Sequence, residues 1–281
     1  MRVRRIATIL LWVTSAAFAL AQAQNQMQLE TIKKIRRNEL TFGTWIYLKD
    51  PAITEMMSHS GFDWMIIDME HGILNEDLVQ SLIVPLIDTK CVPLVKIYKN
   101  DLDIINKVLD TGIQGIVVHM VSTKEDAEKA VKACKYPPLG RRDMGYARAQ
   151  GWGQKEKQYL KIANDAMVVV IIIETKEGVQ NIDEILEVPG IDVVAVGEFD
   201  LSAALGVLGQ IDNPLVLNAT RRVEEACKKK NINFASWAND KAEIEEAIKR
   251  GSNFVELAGD ADLIWRGSES LLKAAREVSR K

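Results

Sequence analysis

The chain of 281 residues carries a formal net charge of -3, with 47% hydrophobic and 27% charged side chains. That is the balance of a water-soluble globule with ample core material, and with no basic stripe it excludes nucleic acid as the main partner. The three cysteines, Cys91, Cys134 and Cys227, are odd in number and far apart. They exclude a disulfide framework and a cysteine metal spacing, and read as small buried hydrophobes.

The chain opens with Arg2, Arg4 and Arg5 ahead of an apolar run, Ile6 to Ala21, and Ala19, Ala21 and Ala23 offer A-x-A cleavage choices. Residues 1–23 therefore have the form of a secretory signal peptide. Thr14 and Ser15 interrupt the run, which is short for a membrane span; an uncleaved membrane anchor is the alternative. No cysteine follows the run, so lipoprotein processing is not expected. The mature protein is expected in the periplasm, without stable membrane association once the leader is removed. Residues 24–281 are expected to form one domain, because no Pro-, Gly- or Ser-rich linker divides them.

A helix is expected over about 28–37. Strand-like runs then recur at Thr41–Ile46, Trp64–Met69, Pro93–Ile97, Gly115–Met120, Val168–Ile173, Val193–Val196, Asn233–Trp237 and Phe254–Leu257. Helical patterns fall near 50–60, 75–88, 101–111, 123–135, 178–187, 214–230 and 240–250, with a last helix after 260. Eight strands, each followed by a helix, predict a single α/β domain: a closed (β/α)8 TIM barrel with an extra N-terminal helix. No glycine-rich dinucleotide fingerprint follows any strand, which weighs against a doubly wound sheet.

In such a barrel the chemistry lies at the C-terminal strand ends. The second strand ends in "IIDMEHG", giving Asp68, Glu70 and His71; the third gives Lys96 and the fourth His119. The fifth stops abruptly at Glu174, and the sixth leads through Gly197 to Glu198, Phe199 and Asp200. Glu174 and Asp200 should converge on the same rim, where two carboxylates are costly unless a cation or substrate compensates them. Either acid alone could cap the helix that follows it. The pair in matching positions points to a divalent metal.

His71 is the natural proton-transfer group, since an ordinary histidine titrates near working pH; a rim histidine tied to a loop carbonyl is the plainer reading. Lys96 could bind a substrate anion, stabilise an oxyanion, form a Schiff base, or simply neutralise the surplus acids. His119 has either a structural or a substrate-binding role. His59 is expected on the surface. The segment from Tyr136 to about Ala166 is too long for an ordinary βα turn and is expected to be a lid or binding loop. Its Arg141, Arg142 and Arg148 suit an anionic substrate or a neighbouring subunit, or are simply solvated.

The stretches "GFDWMIIDMEHG", "KYPPLGRR", "IIIETKEGVQNIDEI" and "VGEFDLSAALG" resemble the HpcH/HpaI aldolase and citrate lyase family, specifically its metal-dependent class II 2-oxo-acid aldolases. The likeness covers about residues 38 to 265. It implies a divalent ion (magnesium, manganese or cobalt) on Glu174 and Asp200, with pyruvate or a similar 2-oxo acid chelating it. It also implies His71 as a base acting through water. Asp110, in "VLDTG", matches a family acid that raises the basicity of this histidine; lying at a helix end, it would act across a subunit interface. Family members are commonly hexamers built from dimers that exchange their last helix.

Several positions depart from the family pattern, all in the site. Lys96 stands for arginine, Ile172 for a substrate-binding glutamine, Glu198 and Phe199 for proline and a small residue, and His119 for proline. Lysine keeps the charge but loses the bidentate fork; Ile172 removes a hydrogen-bond partner, and Phe199 narrows the pocket. Two functions follow as expectations. The first is a metal-dependent carbon–carbon lyase cleaving a 4-hydroxy-2-oxo acid to a 2-oxo acid and an aldehyde. The second is an exported barrel that binds small carboxylates or sugar acids without turning them over.

Overall fold

The computed structural model describes residues 27–279, so the leader-like segment lies outside the described residues. Eight parallel strands close a barrel in sequence order: β1 (Thr41–Ile46), β2 (Trp64–Asp68), β3 (Val92–Ile97), β4 (Gly115–Val118), β5 (Val168–Ile173), β6 (Val193–Val196), β7 (Asn233–Ala238) and β8 (Phe254–Leu257). β8 returns to β1, pairing Phe254 with Thr41. The expected (β/α)8 barrel is the fold. The helices are α1 (27–36), α2 (Pro51–His59), α3 (Glu76–Ile83), α4 (Leu102–Asp110), α5 (Lys124–Cys134), α6 (Glu156–Ile162), α7 (Lys176–Gln180), α8 (Ile182–Ile185), α9 (Glu198–Ala204), α10 (Pro214–Lys230), α11 (Lys241–Lys249) and α12 (Asp260–Ser279). Among the described residues, no helix is long and apolar enough to cross a membrane.

Strands covered on both faces need apolar side chains at both parities, which is why the runs are continuous rather than alternating. One parity, with Met65, Ile67, Val95, Ile97, Val169 and Ile171, packs outward under the helices. The other, with Ile66, Leu94, Val117, Val170, Ala195 and Phe254, fills the barrel. Trp64 and Phe254 stack inside it with centroids 3.7 Å apart. Gly43 is required there, since a Cβ would fall 2.0 Å from the Trp64 ring. α1 plugs the N-terminal end: Ile32 and Ile35 join the interior cluster, and Asn233 Nδ2 donates to the Ile35 carbonyl at 2.7 Å.

The inward parity carries Asp68, Lys96, His119, Glu174 and Gly197 to the C-terminal rim, as the strand ends predict. The segment after α5 is different. A parallel strand order means that the chain, having run down α5, is back at the N-terminal end when it reaches Tyr136. The segment expected to be a lid therefore connects a helix to the start of β5, on the face opposite the rim, and includes α6. The expected helix over 178–187 is two short pieces, α7 and α8, broken at Asn181, whose Nδ2 donates to the Ser122 carbonyl.

α12 is anchored at its first residue and by Arg266, whose Nη2 donates to Asn239 Oδ1 at 2.8 Å. Asp260 is buried and accepts the Tyr47 and Leu48 backbone N–H groups. Beyond it Leu263, Ile264, Trp265, Leu271 and Leu272 are all exposed, an apolar face that the described residues leave uncovered.

Candidate active site

Glu174 directly follows β5, with its side chain in the barrel, and is nearly fully buried. It does not cap the next helix: Thr175 does so, its hydroxyl accepting the Gly178 N–H at 2.9 Å. Instead Glu174 Oε1 accepts the Met120 N–H at 2.7 Å and lies 3.5 Å from His119 Nδ1. Its Oε2 faces Gly197, where a Cβ would come within 2.4 Å. Gly197 is therefore needed for close approach, and it leaves Oε2 room on the cavity side. Asp200 occupies the first turn of α9, whose N-cap is Gly197 with no side-chain cap bond, so Asp200 is not a cap either. The two capping alternatives fail for different reasons: Thr175 takes the cap position after Glu174, and Asp200 lies within the first turn of its helix rather than ahead of it.

Glu174, Asp200, Lys96, Ile172, Gly197, Glu198 and Phe199 line one cavity of about 480 Å³. Asp200 is exposed at its mouth and Glu174 is buried in its wall. Among the described residues, no cluster of three or more His, Cys, Asp or Glu side chains is set to hold a metal. Two carboxylates nonetheless suit a magnesium-type ion, a hard cation that keeps several waters and is bound through one or two carboxylates plus substrate oxygens. The room beside Glu174 Oε2 and the all-oxygen donor pair fit such an ion.

Glu70 is the hub of the rim on the β2–β4 side. Its Oε2 lies 2.5 Å from Lys96 Nζ, an ion pair rather than an aligned hydrogen bond, and 3.6 Å from His71 Nε2. Its Oε1 lies 3.0 Å from His119 Nδ1. The hydrogen bond to Glu174, with the charge of Glu70, holds His119 above the ordinary histidine range against the opposing effect of burial. Lys96 also sits 5.7 Å from the Trp45 ring centroid. Asp68 stands a step back: its buried Oδ1 accepts the Glu70 and His71 N–H groups at 2.8 and 2.9 Å and so sets the turn that presents them. His71 itself is exposed at the rim, with 61% of its side-chain surface open.

One expected site residue, Arg142, is elsewhere, and Asp110 lies at its helix end, away from the cavity of its own chain. Arg142 lies in the segment at the opposite end of the barrel and is buried, its guanidinium 4.6 Å from the Tyr136 ring and 5.7 Å from that of Tyr159. Its Nη2 donates to the Leu109 carbonyl at 3.3 Å. It cannot reach the substrate cavity of its own chain. Asp110 accompanies it at the C-terminal end of α4, its Oδ1 3.9 Å from Arg142 Nη2, and burial raises its carboxyl above the usual range. The reason is again the chain direction: α4 runs down from the rim.

Sequence reasoning missed the side of the cavity formed by β7, β8 and β1. Trp45, Tyr47, Ser236, Trp237, Arg250 and Glu256 all line it. Glu256 is buried, and Trp45 Nε1 donates to its Oε2 at 3.1 Å. Burial pushes its carboxyl up to about 7, with the Trp45 hydrogen bond and the Lys96 charge opposing. Glu198 is also raised by burial, against the pull of Arg250. The signal was present: Glu256 lies two residues after Phe254, on the inward parity of β8.

A model of the HpcH/HpaI aldolase/citrate lyase family matches residues 41–266. A hydroxypyruvate/pyruvate aldolase of Roseobacter denitrificans is 34% identical over 250 residues, covering 86% of this chain and 96% of that one. A 4-hydroxy-2-oxo-heptane-1,7-dioate aldolase of Salmonella typhimurium is 37% identical over 235 residues, covering 82% and 88%. A crystal structure of an HpcH/HpaI aldolase/citrate lyase family protein from Burkholderia cenocepacia superimposes with a TM-score of 0.83 at 28% identity, covering 87% and 98%.

Proposed function

The chain belongs to the HpcH/HpaI aldolase/citrate lyase family, and from that premise we propose that it is a divalent-metal-dependent aldolase. It cleaves a 4-hydroxy-2-oxo acid to pyruvate, or a similar 2-oxo acid, and an aldehyde. The observation that carries this reading is Glu174 and Asp200 on one cavity, neither used as a helix cap. Magnesium, manganese or cobalt held by these two carboxylates would supply Lewis-acid polarisation of the 2-oxo group.

The chain's own groups do the rest. His71, oriented through Glu70 and the Asp68 turn, takes the 4-hydroxyl proton through water. The C3–C4 bond then breaks: C4 leaves as the aldehyde, and the electron pair passes into the 2-oxo-acid fragment, which takes at C3 the proton that His71 received, returned through water. Lys96, ion-paired to Glu70 and lining the cavity, places positive charge beside the oxygen where negative charge develops. Ile172, Gly197, Glu198 and Phe199 shape the wall, and His119 fixes Glu70 relative to Glu174. Release of pyruvate from a 4-hydroxy-2-oxo acid, requiring added Mg2+, Mn2+ or Co2+ and stopped by chelator, tests the reading.

The rest of the proposal concerns the setting. The uncovered apolar face of α12 supports a homo-oligomer in which a second copy packs on that helix, a hexamer built from dimers. Asp110 and Arg142 would then contribute only across a subunit boundary. The Arg-led apolar run and A-x-A sites support export to the periplasm, with residues 24–281 as the mature catalytic domain.

A further inference from the structure

The cavity of about 480 Å³ holds more than a three-carbon acid, and it extends from Glu174 toward β7 and β8. The surplus space must receive the aldehyde portion of the substrate, and its wall is chemically particular. Glu256 presents a buried carboxyl whose Oε2 is engaged by Trp45, while the described residues offer its Oε1 no donor. Glu198 adds a second carboxyl to the same wall. Each cation lining the cavity already faces a carboxylate, Lys96 with Glu70 at 2.5 Å and Arg250 Nη1 with Glu224 Oε1 at 2.6 Å, while Arg250 Nε has no partner among the described residues. Arg250 Nη2 turns toward Ser236 Oγ at 3.4 Å. Trp237 and Phe199 expose aromatic faces to the opening, suited to stacking against C–H groups.

A carboxylate at the far end of a substrate would thus meet two acids, and no cation among the described lining residues that lacks a carboxylate counter-charge. Hydroxyl groups fare the opposite way, because each can donate to a carboxyl oxygen that would repel a carboxylate. We propose that the wall of Glu256, Glu198 and Trp237 selects a short, uncharged, hydroxylated aldehyde portion and disfavours one ending in a carboxylate, Glu256 being the specificity-determining residue. This rests on the aldolase reading above. It separates the chain from relatives named for a 1,7-dioate, whose cleavage at C3–C4 leaves a four-carbon aldehyde with a terminal carboxylate.

The test begins with the wild-type chain and Mn2+ in D2O, following deuterium incorporation at C3 of pyruvate by NMR. The same enzyme then adds pyruvate to glyceraldehyde, succinic semialdehyde or propanal, and kcat/KM is measured for each. A kcat/KM for glyceraldehyde about tenfold or more above that for succinic semialdehyde is expected. Glu256→Ala should shrink that ratio by about tenfold, mainly through the KM for glyceraldehyde, the scale of one hydrogen bond to a strongly polar group. Glu256→Gln, which keeps the size and a polar tip, should retain most of it, and Trp237→Ala gives an independent loss should the Ala variant fold poorly. A preference for succinic semialdehyde, or a ratio unmoved by both Glu256→Ala and Trp237→Ala, overturns this inference and leaves the aldolase reading standing. Absence of any metal-dependent exchange overturns both.

Discussion

Replacing Glu256 with Gln should stabilise the protein at alkaline pH and leave it unchanged in acid. Burial raises this carboxyl from 4.5 to about 7. Because the folded-state value is the higher one, the carboxyl is neutral in both states below 4.5 and no penalty arises. As pH rises, the unfolded chain ionises first, and wild-type stability falls until the folded-state group also ionises near 7; above that the loss is complete. At about 1.4 kcal/mol per pH unit, the full loss is about 3 kcal/mol, of which roughly 2–3 kcal/mol accrues between about pH 5 and pH 8. The substituted glutamine has no charge to bury, and its carbonyl can still accept the Trp45 Nε1–H that Glu256 Oε2 accepts at 3.1 Å. Urea denaturation of both proteins at half-unit steps from about pH 5 to pH 8 gives the difference directly, and taking the difference cancels the titration of every other group. The variant should gain progressively over that window. A difference that stays flat within about 0.5 kcal/mol would show that Glu256 ionises freely in the folded chain, and would refute the buried, poorly compensated carboxyl described here.

Glu174→Gln or Asp200→Asn should abolish metal-dependent turnover with the circular dichroism spectrum unchanged; full activity in excess chelator would remove the metal from the proposal. Lys96→Arg should keep much of the activity, whereas Lys96→Met should lose roughly two to three orders of magnitude in kcat, the scale of removing one oxyanion donor. A lysine ion-paired at 2.5 Å to Glu70 acts as a cation rather than a nucleophile, so borohydride treatment with pyruvate should add no mass at Lys96. Mass spectrometry of the natively produced protein should find a mature N-terminus near Gln22 or Gln24; Met1 retained in a cytosolic fraction would rule out export.

The residues alone determined the barrel and most of its rim. Continuous β-branched runs such as Val168–Ile173, each ending at a polar residue and followed by a helix, can be buried on both faces only as parallel strands under helices. Parallel strands share one C-terminal rim, so Lys96, His119, Glu174 and the residues around Asp200 could be placed there from strand ends alone. Local information sufficed because the side-chain period of a strand is local.

What needed the tertiary structure was every relation across the closure or along the chain's direction. Trp45 and Glu256 are 211 residues apart, and only the β8–β1 pairing makes them partners. Glu70 became a hub because the Asp68 turn swings it toward Lys96 and His119, a fact of backbone geometry that strand periodicity does not carry. The long segment carrying Arg142 looked like a lid by length and composition, yet it follows a helix rather than a strand. Direction of travel, not sequence content, put it and Asp110 at the far end of the barrel, where burial under Tyr136 and Tyr159 fixes Arg142 in the fold.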